Sequence, residues 1–364
     1  MTALLPLLLL AAAPSPLETM GAQLEELAAK GDAAGLDALV DWPTLLERIT
    51  GGLDTPKDFR EGFGKGMRKA SMFGAAMTQG VRGGGSVKLL RVVPAKSVVV
   101  LRVLDANGGF SYLSIETKDG KLVDLVSSTA GEAVSVLARR LYIRSSAEAS
   151  QSVLERLQGK DRDFIEHAKD VTAFNAAVHD QKGAEAMKLY AALPMSVKKE
   201  KAIQLARLQA AMAVGDAEYA RAIAEFQQYL PGDPSLDVVM IDGAFLKKDW
   251  ALVHQLLGRV DQAYDDPYLD VLQATAWDLE GKPAKSKESL ERALSREPTL
   301  AVAWDKALDA ANAKQQYGEV AKLLDRAGAA LSVDFRPTVA KQPTYAGFLA
   351  SKEGKAWAKA KPKK

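Results

Sequence analysis

Hydrophobic positions change period along this chain. Over residues 17–80 they recur at helical spacing, and LETMGAQLEELAAK places Met20, Leu24 and Leu27 on related faces. Gly31-Asp32 interrupts that helix, and GLDALVDWPTLLERIT follows with a bend at Trp42-Pro43. A third amphipathic stretch, Asp58 to Met77, carries Phe59, Phe63, Met67 and Phe73. After VRGGGS (81–86) the runs become short and β-rich: VKLLRVV (87–93), SVVVLRVLD (97–105), FSYLSIET (110–117) and KLVDLVS (121–127). Pro94-Ala95, Asn107-Gly108-Gly109 and Asp119-Gly120 separate them, and Asn-Gly or Asp-Gly between such runs signals a hairpin. The pattern predicts a four-stranded antiparallel meander, then a helix opening at Gly131-Glu132 and running over Ala133–Tyr142.

Further on, the helical pattern repeats. Taking Ser286 as a marker, steps of 33 or 34 residues lead forward to Val320 and back to Val253, Ala220 and Ala186. Each marker is small or β-branched. Four residues after each stands Tyr190, Ala224, Leu257, Leu290 or Leu324. Pro234, Pro267 and Pro298 separate successive units, where helices stop. Two antiparallel helices of about 14 residues with their turns fill such a unit. One pair cannot bury its apolar faces alone, whereas stacked neighbours can. The marker sits where the two helices cross, so it has to be compact.

This arrangement resembles the tetratricopeptide repeat family over residues 167–332. The unit Pro267–Pro298 carries the resemblance best, with Ala274, Trp277, Gly281, Ser286, Leu290 and Ala293. The next unit adds Trp304, Leu308, Ala311, Tyr317, Val320 and Ala327. The first two units lack the tryptophan, and glycine marks the turn only at Gly215 and Gly281. The resemblance implies a face on the first helix of each pair that holds an extended or helical partner segment. Its central positions fall at Asn175, Gln209, Asp242, Thr275 and Asp309. The next turn adds Val178, Met212, Phe245, Asp278 and Asn312, while the preceding turn is mostly Val or Leu. The lysine clamp that some members use for a carboxylate terminus is absent, so the implied partner is a polar or basic segment. Residues 17–143, helices followed by a meander with DGKLVD before the last strand, resemble an NTF2-like or cystatin-like α+β roll.

The expected fold class is therefore an α+β N-terminal domain (17–143), a linker (144–166) and an all-α solenoid of about five repeats (167–332). A capping helix near Tyr345–Trp357 and a lysine-rich tail complete the chain (333–364). The tail is expected to be a solvated end, with contact to an anionic surface or nucleic acid as the alternative.

Composition adds exclusions. A net charge of +2 gives no field favouring nucleic acid. There is no cysteine, hence no disulfide, thiolate nucleophile or lipid-attachment site. MTALLPLLLLAAAPSP reads as a signal peptide over residues 1–16, its apolar run being too short for the roughly 20 residues that cross a bilayer. Export and no stable membrane insertion follow as expectations. His167, His179 and His254 lack metal-ligand spacing, and no H-E-x-x-H or G-x-S-x-G occurs. GFGKGM (62–67) follows no strand and carries no G-K-[ST], so its glycines are expected to pack a helix on the sheet. Phe63, Phe110, Tyr112 and Asp124 are candidates to line a pocket in the roll, with Asp124 more readily placed on the solvent face. The expected function is non-catalytic binding of a protein or peptide partner, with no cofactor or metal. Its rivals are a ligand-binding or hydrolytic roll with docking repeats, and a structural spacer whose groove is filled by the chain's own C-terminal segment.

Overall fold

The computed structural model describes residues 14–360 apart from 79, 82, 107 and 150–158. The apolar run of the expected leader, Asn107 of one hairpin turn, the middle of the linker and the last four residues lie outside the described residues. The chain divides into two compact units, Met1–Val239 and Met240–Lys364.

In the first unit α1 (Pro16–Ala29) opens with a capping box. The Ser15 hydroxyl accepts from Glu18 N, and the Glu18 carboxylate accepts from Ser15 N. The helix buries Met20, Leu24 and Ala28. Asp32 and Asp41 cap α2 (Ala33–Ala38) and α3 (Trp42–Thr50), so Trp42-Pro43 is the first turn of a new helix. The single helix expected over Asp58–Met77 is instead two, α4 (Lys57–Lys69) and α5 (Met72–Thr78). The break is at Ser71, with φ of 51°. The Asp37 carboxylate accepts bonds from the Ser71 hydroxyl and from Gly74 N, which draws α5 onto α2. A Cβ at Gly74 would lie 2.2 Å from the Ala33 carbonyl oxygen. The glycines of GFGKGM do not pack on the sheet: Gly62 and Gly66 face open space, and Gly64 meets Leu46 of α3.

The sheet is a meander in the order β1-β2-β3-β4, all antiparallel: β1 (Ser86–Val93), β2 (Val98–Leu104), β3 (Phe110–Lys118) and β4 (Lys121–Ser127). Asp119 and Gly120 take φ of 49° and 72° and close a two-residue hairpin. Val99, Leu101, Leu113, Ile115 and Leu125 join Leu24, Leu36, Leu45, Phe73 and Tyr142 in the domain core. The following helix, α6 (Val134–Ala149), runs seven residues past the end expected for it.

After α7 (Gly159–Glu166), five helix pairs follow: α8 (Ala168–His179) with α9 (Gly183–Ala192), α11 (Lys201–Val214) with α12 (Asp216–Tyr229), α13 (Ser235–Lys247) with α14 (Trp250–Tyr264), α15 (Tyr268–Leu279) with α16 (Pro283–Arg296), and α17 (Ala301–Ala313) with α18 (Tyr317–Leu331). A short α10 (Met195–Lys198) precedes the second pair. Each pair turns through a residue of positive φ, at Gln181, Gly215, Lys248, Gly281 and Gln315, so the turns recur every 33 or 34 residues. The chain is thus an α+β domain followed by a helical solenoid, and the unit boundary falls inside α13.

The second helices bury a recurring face: Ala186 and Tyr190; Tyr219, Ala222 and Phe226; Val253, Leu257 and Val260; Ser286, Leu290 and Ala293; Val320, Leu324 and Ala327. One marker is corrected. Ala220 and Ala224 face solvent, and Tyr219 takes the buried place one residue earlier. In the second unit a short α19 (Arg336–Val339) leads to the C-terminal cap, which is two short helices, α20 (Ala346–Ala350) and α21 (Lys352–Lys359), folded at Ser351. Phe348 and Trp357 pack 5.6 Å apart, Phe348 lies 6.1 Å from Tyr317, and the Trp357 indole donates to Asp325. Among the described residues no helix is long and apolar enough to cross a membrane.

Candidate interaction face and a cleft in the first unit

The first helix of each pair turns one side away from its partner. Asn175 of α8 and Gln209 of α11, in the first unit, are exposed there. In the second unit Asp242 of α13, Asp278 of α15 and Asp309 of α17 are exposed, and Phe245 is half-buried against Trp250 at 6.2 Å. Thr275 is half-buried and spends its hydroxyl on the Val271 carbonyl, so it offers less than the sequence suggests.

Charge is distributed unevenly over the second unit. Arg296 binds Asp261, Asp265 and Asp270 at 2.9, 2.7 and 2.8 Å, and Arg292 adds a second contact to Asp270 at 3.0 Å. Glu291 pairs with Arg326 at 2.9 Å, and Asp278 with Lys306 at 3.4 Å. Asp242, Asp305 and Asp309 have no ion-pair partner among the described residues. Asp242 and Asp305 keep solvent access, yet the surrounding protein displaces enough water to raise both carboxyls above the ordinary range. Asp309 raises Asp305 further by repulsion.

Asp305 was hidden in a position read as mostly Val or Leu. The signal for it was available, since it stands one helical turn before Asp309. Beside this pair lies Tyr345, buried and with its phenol raised by burial and by both carboxylates. Asn312 Nδ2 donates to the Thr344 carbonyl at 2.8 Å. The chain's own segment 343–345 therefore engages the end of the α17 face.

The packing residues take three different roles. Ala186, Val253, Ser286 and Val320 are buried where helices cross. Trp304 is buried and donates its indole N–H to the Pro298 carbonyl at 2.8 Å. Trp277 is half-buried and stacks on His254 of the preceding pair at 3.6 Å, with Lys285 Nζ 4.3 Å from its ring centre. His254 also bonds Gln273 and Glu280, and His167 bonds Asp170. No cluster of metal-ligating groups occurs among the described residues.

The four roll residues do not converge. Asp124 is buried, not on the solvent face: its carboxylate accepts from Ser135 N at 3.1 Å, from the Ser135 hydroxyl, and from Arg48 at 3.5 Å. Arg48 also grips Glu116 through two bonds of 2.7 and 2.8 Å and lowers the Glu116 carboxyl. That network satisfies Asp124 as a structural acid. Phe63 packs edge-on against Tyr142 at 4.9 Å, and Tyr112 is buried beside Phe110 at 5.7 Å. Of the four, Phe110 alone lines the cleft that is present. This cleft, about 630 Å³, lies where the ends of β2 and β4 and the start of β3 meet α5 and α6. Val103, Leu113, Leu125, Val134 and Leu137 form its apolar wall; Ser111, Ser127 and Thr129 give hydroxyls, and Asp105 and Glu132 carboxylates. Sequence reasoning missed these residues because three turns and a helix bring them together.

No protein family, curated protein or solved structure matches the chain.

Proposed function

We propose that this chain is an exported, non-catalytic interaction protein of tetratricopeptide type. In the second unit the exposed side of the first helices takes a polypeptide segment carrying positive charge. The observation that carries this reading is the contrast in ion pairing. Asp261, Asp270 and Glu291 each have an arginine, while Asp242, Asp305 and Asp309 have none among the described residues. Leaving carboxylates unpaired where water is partly displaced costs stability, and a lysine or arginine of a partner offsets that cost. Phe245 and the exposed Leu246 and Leu279 add apolar contact to that segment; in the first unit, taken by itself, Asn175 and Gln209 are exposed polar groups on the corresponding first helices. The site on α17 is bounded by Tyr345, which limits a partner there to the stretch before Asn312.

The test is affinity capture from the native host's envelope fraction with the wild-type chain and with an Asp242→Lys/Asp309→Lys variant. Bound proteins should elute from the wild type at raised salt and be missing from the variant. Identical sets of bound proteins would refute the charged-face reading.

A further inference from the structure

We propose that the cleft of the first unit is a second binding site, for a mainly apolar small molecule that carries an amine or hydroxyl and no acid group. Its volume, about 630 Å³, falls in the range of small-molecule pockets, roughly 300–1,000 Å³. α6 sends Val134, Ala138 and Tyr142 into the domain core but leaves Leu137 41% exposed in the cleft and Leu141, one turn on, 52% exposed. A helix already anchored by its other face gains nothing from those two leucines unless something apolar covers them. Phe110, edge-on to Tyr112, gives the opposite wall a flat aromatic surface.

The polar groups define what the occupant cannot be. Ser127 and Thr129 hold their hydroxyls 3.0 Å apart on the wall. Asp105 accepts from Gly109 N at 3.0 Å, and Glu132 is already paired with Arg140, which also reaches Glu200 at 3.3 Å. Among the described lining residues there is no lysine, arginine or histidine. The charged groups of the described lining, Asp105 and Glu132, are both acidic, which favours a neutral or cationic ligand over an anionic one. A hydroxyl or amine would instead find carboxylate and hydroxyl oxygens to accept its protons.

Two dyes with the same ring skeleton separate these claims. N-phenyl-1-naphthylamine is neutral with one N–H, and 8-anilinonaphthalene-1-sulfonate adds a sulfonate. Titrated into the full chain, the neutral dye should saturate, and the sulfonate should bind at least about tenfold more weakly. Ala76 and Leu137 are exposed, so Ala76→Trp fills the cleft and Leu137→Arg charges it without disturbing the core. Each should weaken the neutral dye at least about tenfold, with thermal melting unchanged. The Asp242→Lys/Asp309→Lys variant should bind the dye as the wild type does, which keeps this site separate from the charged face. Non-saturable binding, wild-type binding in both cleft variants, or a sulfonate that binds as well as the neutral dye would overturn the proposal.

Discussion

Ser286 shows how much one side chain controls. It is buried where α15 and α16 cross, with Ala274 and Ala293 also buried in that pair. Ser286→Trp forces an indole into space packed for a hydroxymethyl group and should cost about 1–3 kcal/mol; a chemical denaturation midpoint equal to the wild type would disprove the register. Asp305 gives a prediction of different sign. Its carboxyl is raised by displaced water and by Asp309, so the folded state holds that proton more tightly than the unfolded chain does. Stability from this group therefore falls as pH rises from the unfolded value through the folded one. Asp305→Asn removes the dependence, so its melting temperature should gain on the wild type as pH rises above the ordinary Asp value of about 4. Parallel profiles would show that Asp305 is not perturbed. Single positions were legible where local chemistry alone decided them. Val253 and Val320 stand in strongly periodic helices and are buried as read. AEYARAIAEF offers alanine at alternate positions, so period alone could not choose between Tyr219 and Ala220. Asp124 escaped because Arg48 and Ser135, the partners that allow its burial, stand 76 and 11 residues away.

At the scale of elements, the turns between paired helices test the repeat most directly. Gln181, Lys248 and Gln315 take φ between 54° and 58° where Gly281 takes 79°. A left-handed conformation costs a residue with a Cβ about 1–2 kcal/mol, and glycine avoids that at the expense of a more mobile unfolded chain. Gln315→Gly should thus raise stability by up to about 1 kcal/mol, and Gly281→Ala should lower it by about 1 kcal/mol. Urea titrations of the two variants should move in opposite directions; shifts of the same sign would contradict equivalence of the turns. The marker spacing places all five units, but glycine marks the turn at only two of them, Gly215 and Gly281; at Gln181, Lys248 and Gln315 a residue with a Cβ takes the left-handed conformation. The strands were legible to within a residue or two, since Asp119-Gly120 and the β-branched runs act locally. The division of α4 from α5 was not, because Asp37 imposes it from another helix.

At the scale of the whole molecule, composition and compartment have to agree. A chain of 364 residues with no cysteine needs no oxidising environment to fold and gives up nothing by entering one. Residues 3–13 are apolar and fall within the roughly 7–15 residues of a signal-peptide core, short of the roughly 20 that span a bilayer. Just after that segment the capping box at Ser15 and Glu18 starts α1, and Pro16 at its first turn needs no N–H partner. Among the described residues, Ser15 makes the first hydrogen bonds that fix α1. Expressed with residues 1–16 in a Gram-negative host, the protein should appear in the periplasmic fraction. Its intact mass should be short by the leader, and its melting temperature should equal that of a chain expressed from residue 14. Arg substituted at both Leu8 and Leu9 breaks the apolar run while leaving every described residue unchanged, so it should hold the full-length protein in the cytosol. Full-length mass in the periplasm, or wild-type processing of the Leu8→Arg/Leu9→Arg variant, would show that the apolar run is not a cleaved leader.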